Sequence, residues 1–235
     1  MKHGKFEKFA LQRIDLCDLE ILQELDESLL DDLLACCQGL RFKKNTEILG
    51  HLDNSDSVYF VVSGDVRINM VAAGGRQITY QLLRSGQMFG ELSAIDGQPR
   101  SASAVAETDA SLAVLGGADF VALTHEHPEL AHVILRRLAS LSRWLMTKLF
   151  EYHAFNVRGR IISELVRLAL LSDEQPAAVR VADRDMASRV GTTRENVTRI
   201  YRDLLTQQII ERSDQGLVVL DVPRLQGILA ECEFG

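Results

Sequence analysis

The segment from Glu129 to Phe155 constrains the fold more than any other part of the chain, because it contains neither glycine nor proline. At 1.5 Å per residue it predicts an α-helix roughly 40 Å long. Large side chains recur along it at spacings of three and four, which favours pairing with a second copy of the chain. The alternative is a helix that packs on its own domain. The repeating residues are Ile134, Leu138, Leu141, Leu145, Leu149 and Tyr152.

The residues before this helix have a different hydrophobic period. Residues 15–38 have the spacing of an amphipathic helix, for which Asp26 is the predicted N-cap. Residues 40–116 contain short β-favouring runs that are separated by glycine-bearing turns. Short strands and turns of this kind predict an antiparallel sandwich or jelly roll.

The residues after the helix predict a second domain. Asn156–Gly159 is the predicted hinge, and a short helix with Asp183 as its N-cap ends at Gly191. A further helix and a hairpin that turns at Asp214–Gly216 follow. Two short helices joined at a glycine and followed by a hairpin are typical of a winged helix-turn-helix domain.

Composition and charge argue against several classes of protein. We find no signal-peptide core and no apolar run that approaches the ~18 residues of a membrane span. The four cysteines have no C-x-x-C spacing, so we expect neither a metal nor an iron–sulfur site, in a reduced cytoplasmic setting. The net charge is −7, yet the segment Arg189–Arg202 is locally basic. No nucleophile triad, metal motif or P-loop points to an enzyme.

The phosphate cassette, which we define as residues 89–106 (FGELSAIDGQPRSASAVA), predicts a site for a small anion that carries hydroxyl groups. Arg100 offers a planar charged fork for a phosphate, and Glu91 offers acceptors for hydroxyl donors. Gly90 allows the backbone to approach a ligand closely and can start a short helical turn. Ser101 and the N–H groups after Pro99 add donors. The alternative is a surface ion pair on a β-turn.

A second constellation, VGTTRENVTRIYRDLL at residues 190–205, predicts a DNA-reading helix. Arg194, Asn196 and Arg199 lie on its first two turns, and Glu195 lies there with them. Arginine can take guanine O6 and N7, and glutamate can accept from cytosine N4. The opposite face carries the apolar residues Val197, Ile200 and Leu204. The alternatives are a solvated face for the arginines and a capping box, Thr192-x-x-Glu195, that turns Glu195 back to the backbone.

Taken together, residues 15–225 resemble the CRP/FNR family of bacterial transcription regulators, and within it the cAMP receptor protein branch. FGEL and PRSA resemble the family's phosphate-binding motif. Residues 193–199 (TRENVTR) resemble the reading pattern S-R-E-T-V-G-R, and residues 156–161 (NVRGRI) resemble D-V-T-G-R-I. The resemblance implies an α+β chain with a cyclic-nucleotide-binding β-roll and N-terminal helices in residues 1–127. A dimerisation helix in residues 128–155 and a winged helix-turn-helix domain in residues 156–235 would follow.

The resemblance also implies roles for the residues of the cassette. Gly90 and Glu91 would hold the ribose 2′-hydroxyl, Arg100 and Ser101 would hold the cyclic phosphate, and Leu92 would lie beside them. The effector would be cAMP or cGMP, with no metal. Ser101 could also reach the edge of a syn guanine.

The family's base-contacting Thr-Ser pair is not intact here. An ungapped count from the hinge puts Leu145 and Met146 at those positions, and one deletion puts Met146 and Thr147 there. Thr147 or Lys148 would then contribute to the base contact.

By the same resemblance, Thr193, Arg194, Glu195 and Arg199 would read a TGTGA-like half-site twice in a palindrome. The implied partners are DNA, a second copy of the chain and RNA polymerase, with no membrane. Ligand would act by shifting the population toward the DNA-binding state.

Two alternatives stay open at this point. One is the same fold with another sensed signal, such as another nucleotide, haem or redox state, although an N-terminal cysteine group and a diagnostic histidine spacing are both missing. The other is a nucleotide-binding regulatory subunit that acts on a protein partner, against which the winged-helix pattern argues.

Overall fold

The computed structural model describes residues 5–17, 19, 27–71, 77–172, 174, 176–213 and 216–232. The chain divides into two compact units, a first unit of residues 1–140 and a second unit of residues 141–235. Helices and antiparallel sheets are both present, which confirms the predicted α+β class. The predicted boundaries of the three functional segments stay a prediction.

The first unit is a β-roll covered by helices. Its strands are β1 (Phe6–Phe9), β2 (Gln38–Phe42), β3 (Glu47–Leu49), β4 (Val58–Ser63), β5 (Val66–Val71), β6 (Gln77–Leu83), β7 (Met88–Phe89), β8 (Ser103–Ala106) and β9 (Ala110–Leu115). Its helices are α1 (Arg13–Cys17), α2 (Glu27–Cys36), α3 (Glu91–Asp96), α4 (Gly117–Glu126) and the start of α5 (Pro128–Ala154). The strands form two antiparallel sheets, ordered β1-β2-β9-β4-β7 and β3-β8-β5-β6.

Strand β4 shows why this unit has two apolar layers. Its residues alternate between the two faces of the sheet, since successive side chains of a strand point in opposite directions. Tyr59 and Val61 pack between the two sheets, while Val58 and Phe60 pack against the helices. All four are buried, so the first four residues of β4 are covered on both faces and hold the two layers together.

The first half of α5 packs on the β-roll. Ile134 is buried with the residues of α2 and α4, and Leu138 packs on the same cluster. Ile134 is therefore covered by its own domain and is not available to an intermolecular seam. Leu138 is only partly buried, so its place in a seam stays a prediction. Further along, Leu145 and Leu149 are exposed.

The second unit contains the end of α5, a helical core and a small sheet. Its other helices are α6 (Val157–Leu170), α7 (Asp183–Val190), α8 (Arg194–Thr206) and α9 (Val222–Glu231). Its strands β10 (Ala177–Val179), β11 (Ile210–Ser213) and β12 (Gly216–Val219) form an antiparallel sheet in the order β10-β12-β11. The pairing of β11 with β12 confirms the predicted hairpin. Asp214 in its turn and the predicted N-cap Asp26 lie outside the described residues.

Two local predictions for the second unit have different outcomes. Gly191 ends α7 in the left-handed conformation, with φ at 63°, as the predicted break requires. Asp183 is not the N-cap of α7, since Ala182 occupies that position. The Asp183 carboxylate instead accepts hydrogen bonds from Thr198 and Arg212, which hold the first turn of α7 to α8 and to the hairpin.

The core of the second unit contains a tyrosine whose hydroxyl has no partner. Tyr201 is fully buried, its Oη finds no hydrogen bond among the described residues, and burial raises its pKa. Because an unsatisfied buried hydroxyl carries a desolvation cost, we expect Tyr201→Phe to leave the free energy of unfolding unchanged or to raise it by about 1 kcal/mol. Urea denaturation followed by circular dichroism measures this change.

The matched control for that change is Tyr59→Phe in the first unit. The hydroxyl of Tyr59 shares a hydrogen bond with Ser57, so its removal should lower stability by about 1 kcal/mol. A loss of stability in Tyr201→Phe as large as the loss in Tyr59→Phe would mean that the Tyr201 hydroxyl has a partner.

Candidate functional site

The phosphate cassette begins at a glycine that no other residue can replace without strain. Gly90 is the N-cap of α3 and has φ at 88°, which confirms the predicted helical turn. A Cβ atom at this position would lie 2.8 Å from Arg100 Nη1 and 2.8 Å from the carbonyl oxygen of Ser57. Gly90 therefore supplies both the left-handed backbone and the space in which the Arg100 guanidinium lies.

The guanidinium of Arg100 is buried and held by neutral oxygens. The residue is 2% exposed. Its Nε donates to Ser55 Oγ at 2.8 Å, its Nη1 to Gly90 O at 2.7 Å and its Nη2 to Ser57 O at 2.7 Å. Burial lowers the pKa of Arg100, and within the described ranges no carboxylate forms an ion pair with it. The charges of Asp56, Asp53 and Glu91 act in the opposite direction, yet none of these carboxylates bonds to the guanidinium directly. The N–H donors that remain on its two terminal nitrogens are suited to an anion.

Beside this cation lies an acidic side chain with open acceptors. Glu91 begins α3 and is 6% exposed, yet in the described part of the chain its carboxylate accepts no hydrogen bond. Its negative charge lies close enough to raise the pKa of Arg100 and so partly offsets the effect of burial. Leu92 and Ser101 are exposed, and the Ser101 hydroxyl has no partner among the residues described. The cassette thus offers one guanidinium, one carboxylate and one hydroxyl for contact with a ligand.

A neighbouring loop holds the backbone of the cassette in place. The N–H of Leu52 donates to Arg100 O at 2.9 Å, and the N–H of Arg100 donates to Asp53 O at 3.0 Å. Leu52 has φ at 68°, an uncommon conformation for a residue other than glycine. Sequence analysis missed this loop and the anchors Ser55 and Ser57. Ser57 acts through its backbone carbonyl, which every residue type has, so no sequence signal identifies it.

The residues proposed to contact the base lie on the second half of α5. Leu145 and Met146 are exposed, and Thr147 is exposed with its hydroxyl donating to Arg143 O at 3.1 Å. Lys148 differs from its neighbours because its side chain is only 12% exposed and pairs with Glu151 at 2.8 Å. Of the two candidates for the base contact, Thr147 is therefore accessible and Lys148 is occupied.

Helix α8 has the two faces that its sequence predicts. Val197, Ile200 and Leu204 are buried in the core of the second unit, while Arg194 and Arg199 are exposed. The helix begins after Thr193, whose side chain caps it by accepting from the N–H of Asn196 at 3.4 Å. Asn196 also accepts from Arg199 Nη2 at 3.1 Å, which steadies the arginine on the first turns.

The predicted capping box is displaced by one residue. Thr193, and not Thr192, is the N-cap, so Glu195 does not occupy the position that a capping box requires. Hydrogen bonds from its own backbone N–H and from the Thr193 hydroxyl nevertheless lower the pKa of Glu195. The carboxylate is exposed, charged and turned toward the start of α8.

The described ranges were also compared with the requirements of a metal site and of a membrane-spanning helix, and they meet neither. No cluster of three or more His, Cys, Asp or Glu residues among them could hold a metal ion. None of the described helices combines the length and the hydropathy of a membrane span.

Comparisons with known proteins agree with this arrangement. Residues 40–127 match the family model of the cyclic nucleotide-binding domain, and residues 159–228 match the Crp-like helix-turn-helix domain. The chain is 32% identical over 206 residues to the Cyclic AMP receptor protein of Thermus thermophilus, across 88% of this chain and 93% of that protein. It is 26% identical over 210 residues to a CRP-like cAMP-activated global transcriptional regulator of Mycobacterium tuberculosis, across 87% of this chain and 94% of that protein.

A solved structure gives the same result. The crystal structure of the Thermus thermophilus Catabolite Activator Protein aligns with a TM-score of 0.54 and 28% identity, across 90% of this chain and 99% of that chain. The β-roll, the long helix and the helix-turn-helix domain therefore occur together in a protein of related sequence. The family consists of transcription regulators and not of enzymes, and this chain belongs to it: it is a member of the CRP/FNR family, with a cyclic-nucleotide-binding domain and a Crp-like DNA-binding domain.

Proposed function

We propose that the chain is a dimeric transcription regulator that binds cAMP or cGMP in its first unit and then a palindromic TGTGA-like operator with its second unit. The observation that carries the effector part is the buried Arg100 guanidinium, which forms no ion pair among the described residues, next to the open carboxylate of Glu91. A cyclic nucleotide brings a negatively charged phosphate, which suits the guanidinium, and a ribose hydroxyl, which suits the carboxylate. Relatives named as cAMP receptor proteins favour cAMP over cGMP.

The hydrogen-bond count at Arg100 supports a phosphate ligand. A guanidinium has five N–H donors, and Ser55, Gly90 and Ser57 use one on each of the three nitrogens. One donor remains on Nη1 and one on Nη2, and together they suit two oxygens of a phosphate. Ser101 adds its hydroxyl to the same phosphate.

The ribose and the base would meet other residues. The Glu91 carboxylate accepts from the ribose 2′-hydroxyl, Gly90 lets the backbone approach it, and Leu92 provides an apolar contact beside them. Thr147 is the proposed base contact because its hydroxyl is accessible, whereas Lys148 is bound to carboxylates of its own unit. Because the Thr147 hydroxyl donates its proton to Arg143 O, it can accept from the exocyclic amino group of adenine or of guanine, so Thr147 is compatible with both bases.

The second unit would read DNA with α8. Arg194 and Arg199 each present a guanidinium to guanine, and Glu195 presents a carboxylate to cytosine N4. Thr193 fixes the first turn of the helix and lies next to the DNA backbone. Two copies of α8 spaced by about 34 Å would enter successive major grooves of a palindrome. The bound dimer would then act on RNA polymerase, as the names of the relatives as transcriptional regulators suggest.

The second half of α5 provides the proposed dimer contact. Leu145, Met146, Leu149 and Phe150 are 45%, 68%, 59% and 57% exposed, so α5 carries a large apolar surface that the described residues leave open. Burying such a side chain against a second copy stabilises the pair by about 1.5–3 kcal/mol. A second copy of α5 is the occupant that fits, because a parallel pair presents two DNA-binding units symmetrically.

We expect Leu149→Glu to convert the dimer into a monomer at micromolar concentration. The change places a charge in an apolar contact twice, once from each copy. Light scattering coupled to size exclusion measures the mass. The matched control is Leu171→Glu, the same change at a leucine that is 69% exposed at the end of α6. If both variants keep the mass of the wild type, the apolar surface of α5 does not hold the dimer.

Calorimetric titration of the wild type with cAMP and with cGMP tests the proposed effector. Fluorescence anisotropy then tests the operator, with a palindromic TGTGA duplex and a scrambled duplex of equal length in the presence of each nucleotide. We expect one nucleotide to bind and to raise the affinity for the palindrome only. Binding of neither nucleotide would contradict the effector. Nucleotide binding without salt-dependent DNA binding would favour control of a protein partner instead.

A further inference from the structure

A network of charges around two buried carboxylates joins the end of α5 to the first helix of the helix-turn-helix, and its two arginines reach it from the surface, with 41% and 43% of their side chains exposed. We call it the Glu164 cluster. Its residues are Lys148 and Glu151 on α5, Ser163, Glu164 and Arg167 on α6, and Arg189 on α7. Glu164 is 2% exposed and Glu151 is 7% exposed, so both carboxylates depend on these partners in place of water. The network lies entirely within the second unit.

Glu164 uses all of its acceptor capacity. Its Oε1 accepts from Arg167 Nη2 at 2.6 Å and from Arg189 Nη1 at 3.2 Å. Its Oε2 accepts from Arg167 Nε at 2.9 Å and from Lys148 Nζ at 3.4 Å. A carboxylate offers about four lone-pair sites, so three cations from three helices occupy every one of them. Burial alone raises the pKa of Glu164, but the hydrogen bonds and charges of these cations outweigh it and hold the pKa below its usual range.

The second carboxylate reinforces the connection between α5 and α6. Glu151 Oε2 accepts from Lys148 Nζ at 2.8 Å, and Glu151 Oε1 accepts from Ser163 Oγ at 2.9 Å. The Lys148 ammonium therefore bridges a carboxylate of its own helix and the carboxylate of Glu164. Any rotation of α5 about Asn156 would break the Lys148 and Ser163 contacts together and leave both carboxylates short of partners.

An independent contact joins α5 to the turn between α7 and α8. A Cβ atom on Gly191 would lie 2.2 Å from Tyr152 Oη, so the tyrosine hydroxyl rests directly on that turn. The Arg160 guanidinium stacks at 4.8 Å from the centroid of the Tyr152 ring and donates to Val190 O at 3.1 Å. Two separate sets of contacts therefore connect the elements on either side of the predicted hinge. Only Phe155 and Asn156 separate α5 from α6.

We propose that Glu164 is a positioning residue for DNA binding, which locks helix α7 to the last turns of α5. This inference rests on the proposed function, in which α5 pairs with its copy and α8 reads DNA. If α5 sets the two-fold axis, the angle between α5 and α7 sets the distance between the two copies of α8. The cluster then determines which spacing of the two half-sites the dimer accepts, whereas α8 alone determines the sequence of each half-site.

A spacing series tests this proposal. Palindromic TGTGA duplexes, in which the spacer changes one base pair at a time, are titrated with the full-length protein at saturating cAMP. We expect the wild type to prefer one spacer, and Glu164→Gln and Lys148→Met to reduce that preference by about tenfold, within the usual range for groups in direct contact. Affinity for a duplex with a single half-site should stay within about twofold of the wild type, because α8 is unchanged.

Two conservative variants separate positioning from folding. Lys148→Arg keeps a cation beside Glu151 and Glu164 and should restore the spacing preference that Lys148→Met loses. Glu174→Gln is the matched control for Glu164→Gln, since it breaks a glutamate–arginine pair of the second unit at 2.6 Å whose side chains are 52% and 58% exposed. It should leave the preference unchanged. If Glu164→Gln unfolds, as circular dichroism would show, the two Lys148 variants decide the outcome.

Several results would overturn the proposal. A Lys148→Met protein with the spacer preference of the wild type would show that the cluster does not position α8. Loss of single half-site affinity in the same protein would show a role in folding or in direct contact with DNA. A wild type that binds palindromes without any spacer preference would contradict the dimeric mode of binding itself, and the proposed function would fail with the inference.

Discussion

Replacing Arg100 with alanine is expected to weaken cAMP binding at least a hundredfold. The variant removes the two free N–H donors that would meet the phosphate, and each hydrogen bond to a charged group contributes about 1.5–3 kcal/mol. It also removes the cation itself from a site that is 2% exposed, where solvent screens charge poorly. Calorimetric titration with cAMP, and then with cGMP, measures the loss.

A lysine at position 100 separates charge from geometry. Its ammonium has three donors, while the arginine already uses three to hold Ser55, Gly90 and Ser57. We therefore expect Arg100→Lys to bind cAMP better than Arg100→Ala but well below the wild type. Arg67→Ala is the control, because Arg67 pairs with Glu107 in the same unit, outside the cassette. Normal cAMP binding by a folded Arg100→Ala protein would remove the cassette from the effector site.

The second large effect is expected at the start of α8. A bidentate arginine–guanine contact contributes about 1–3 kcal/mol of discrimination between bases. Because the dimer presents each residue twice, Arg194→Ala and Arg199→Ala should each lower the affinity for a TGTGA palindrome by between about thirtyfold and about twenty-thousandfold. Affinity for a scrambled duplex should change little, so the specificity ratio falls with the affinity. Anisotropy titrations on both duplexes measure this ratio.

Arg202 provides the control on the same helix. It is exposed like Arg194 but lies two turns further along α8, past the turns that a recognition helix inserts. We expect Arg202→Ala to lower the affinity for both duplexes equally, with a smaller salt dependence, as the loss of a phosphate contact does. If Arg194→Ala shows the same equal loss, its guanidinium contacts the backbone and does not read a base.

The cassette and α8 differ in how much of each could be predicted from the sequence. A short motif was enough to identify the ligand-binding groups of the cassette, because their chemistry depends on residue type alone. These groups are the guanidinium of Arg100, the carboxylate oxygens of Glu91 and the unhindered backbone of Gly90. The apolar face of α8 follows from helical spacing, since Val197, Ile200 and Leu204 recur every three or four residues. The N-cap of α7 was misplaced by one residue, because Ala182 takes the position for which Asp183 was predicted. The alternative of a capping box from Thr192 is wrong because Thr193 is the N-cap of α8.

Other features depended on residues that are distant in the chain. The predicted seam of α5 included Ile134 and Leu138 because heptad spacing does not distinguish a contact with a second copy from a contact with the β-roll. Lys148 was a candidate for the base contact because it directly follows Thr147 in the sequence. In the folded chain the Lys148 ammonium instead pairs with Glu151 and with Glu164, which follows sixteen residues later.

The sequence by itself determined the order of the elements, the α+β class and the chemistry of the cassette and of α8. These depend on local periodicity and on the types of neighbouring residues. Only the tertiary structure decided that Arg100 is buried with no ion pair to a described carboxylate, that half of α5 belongs to the β-roll and that Glu164 binds cations from three helices. Burial and charge pairing depend on which distant segments meet, and that is settled only when the whole chain packs.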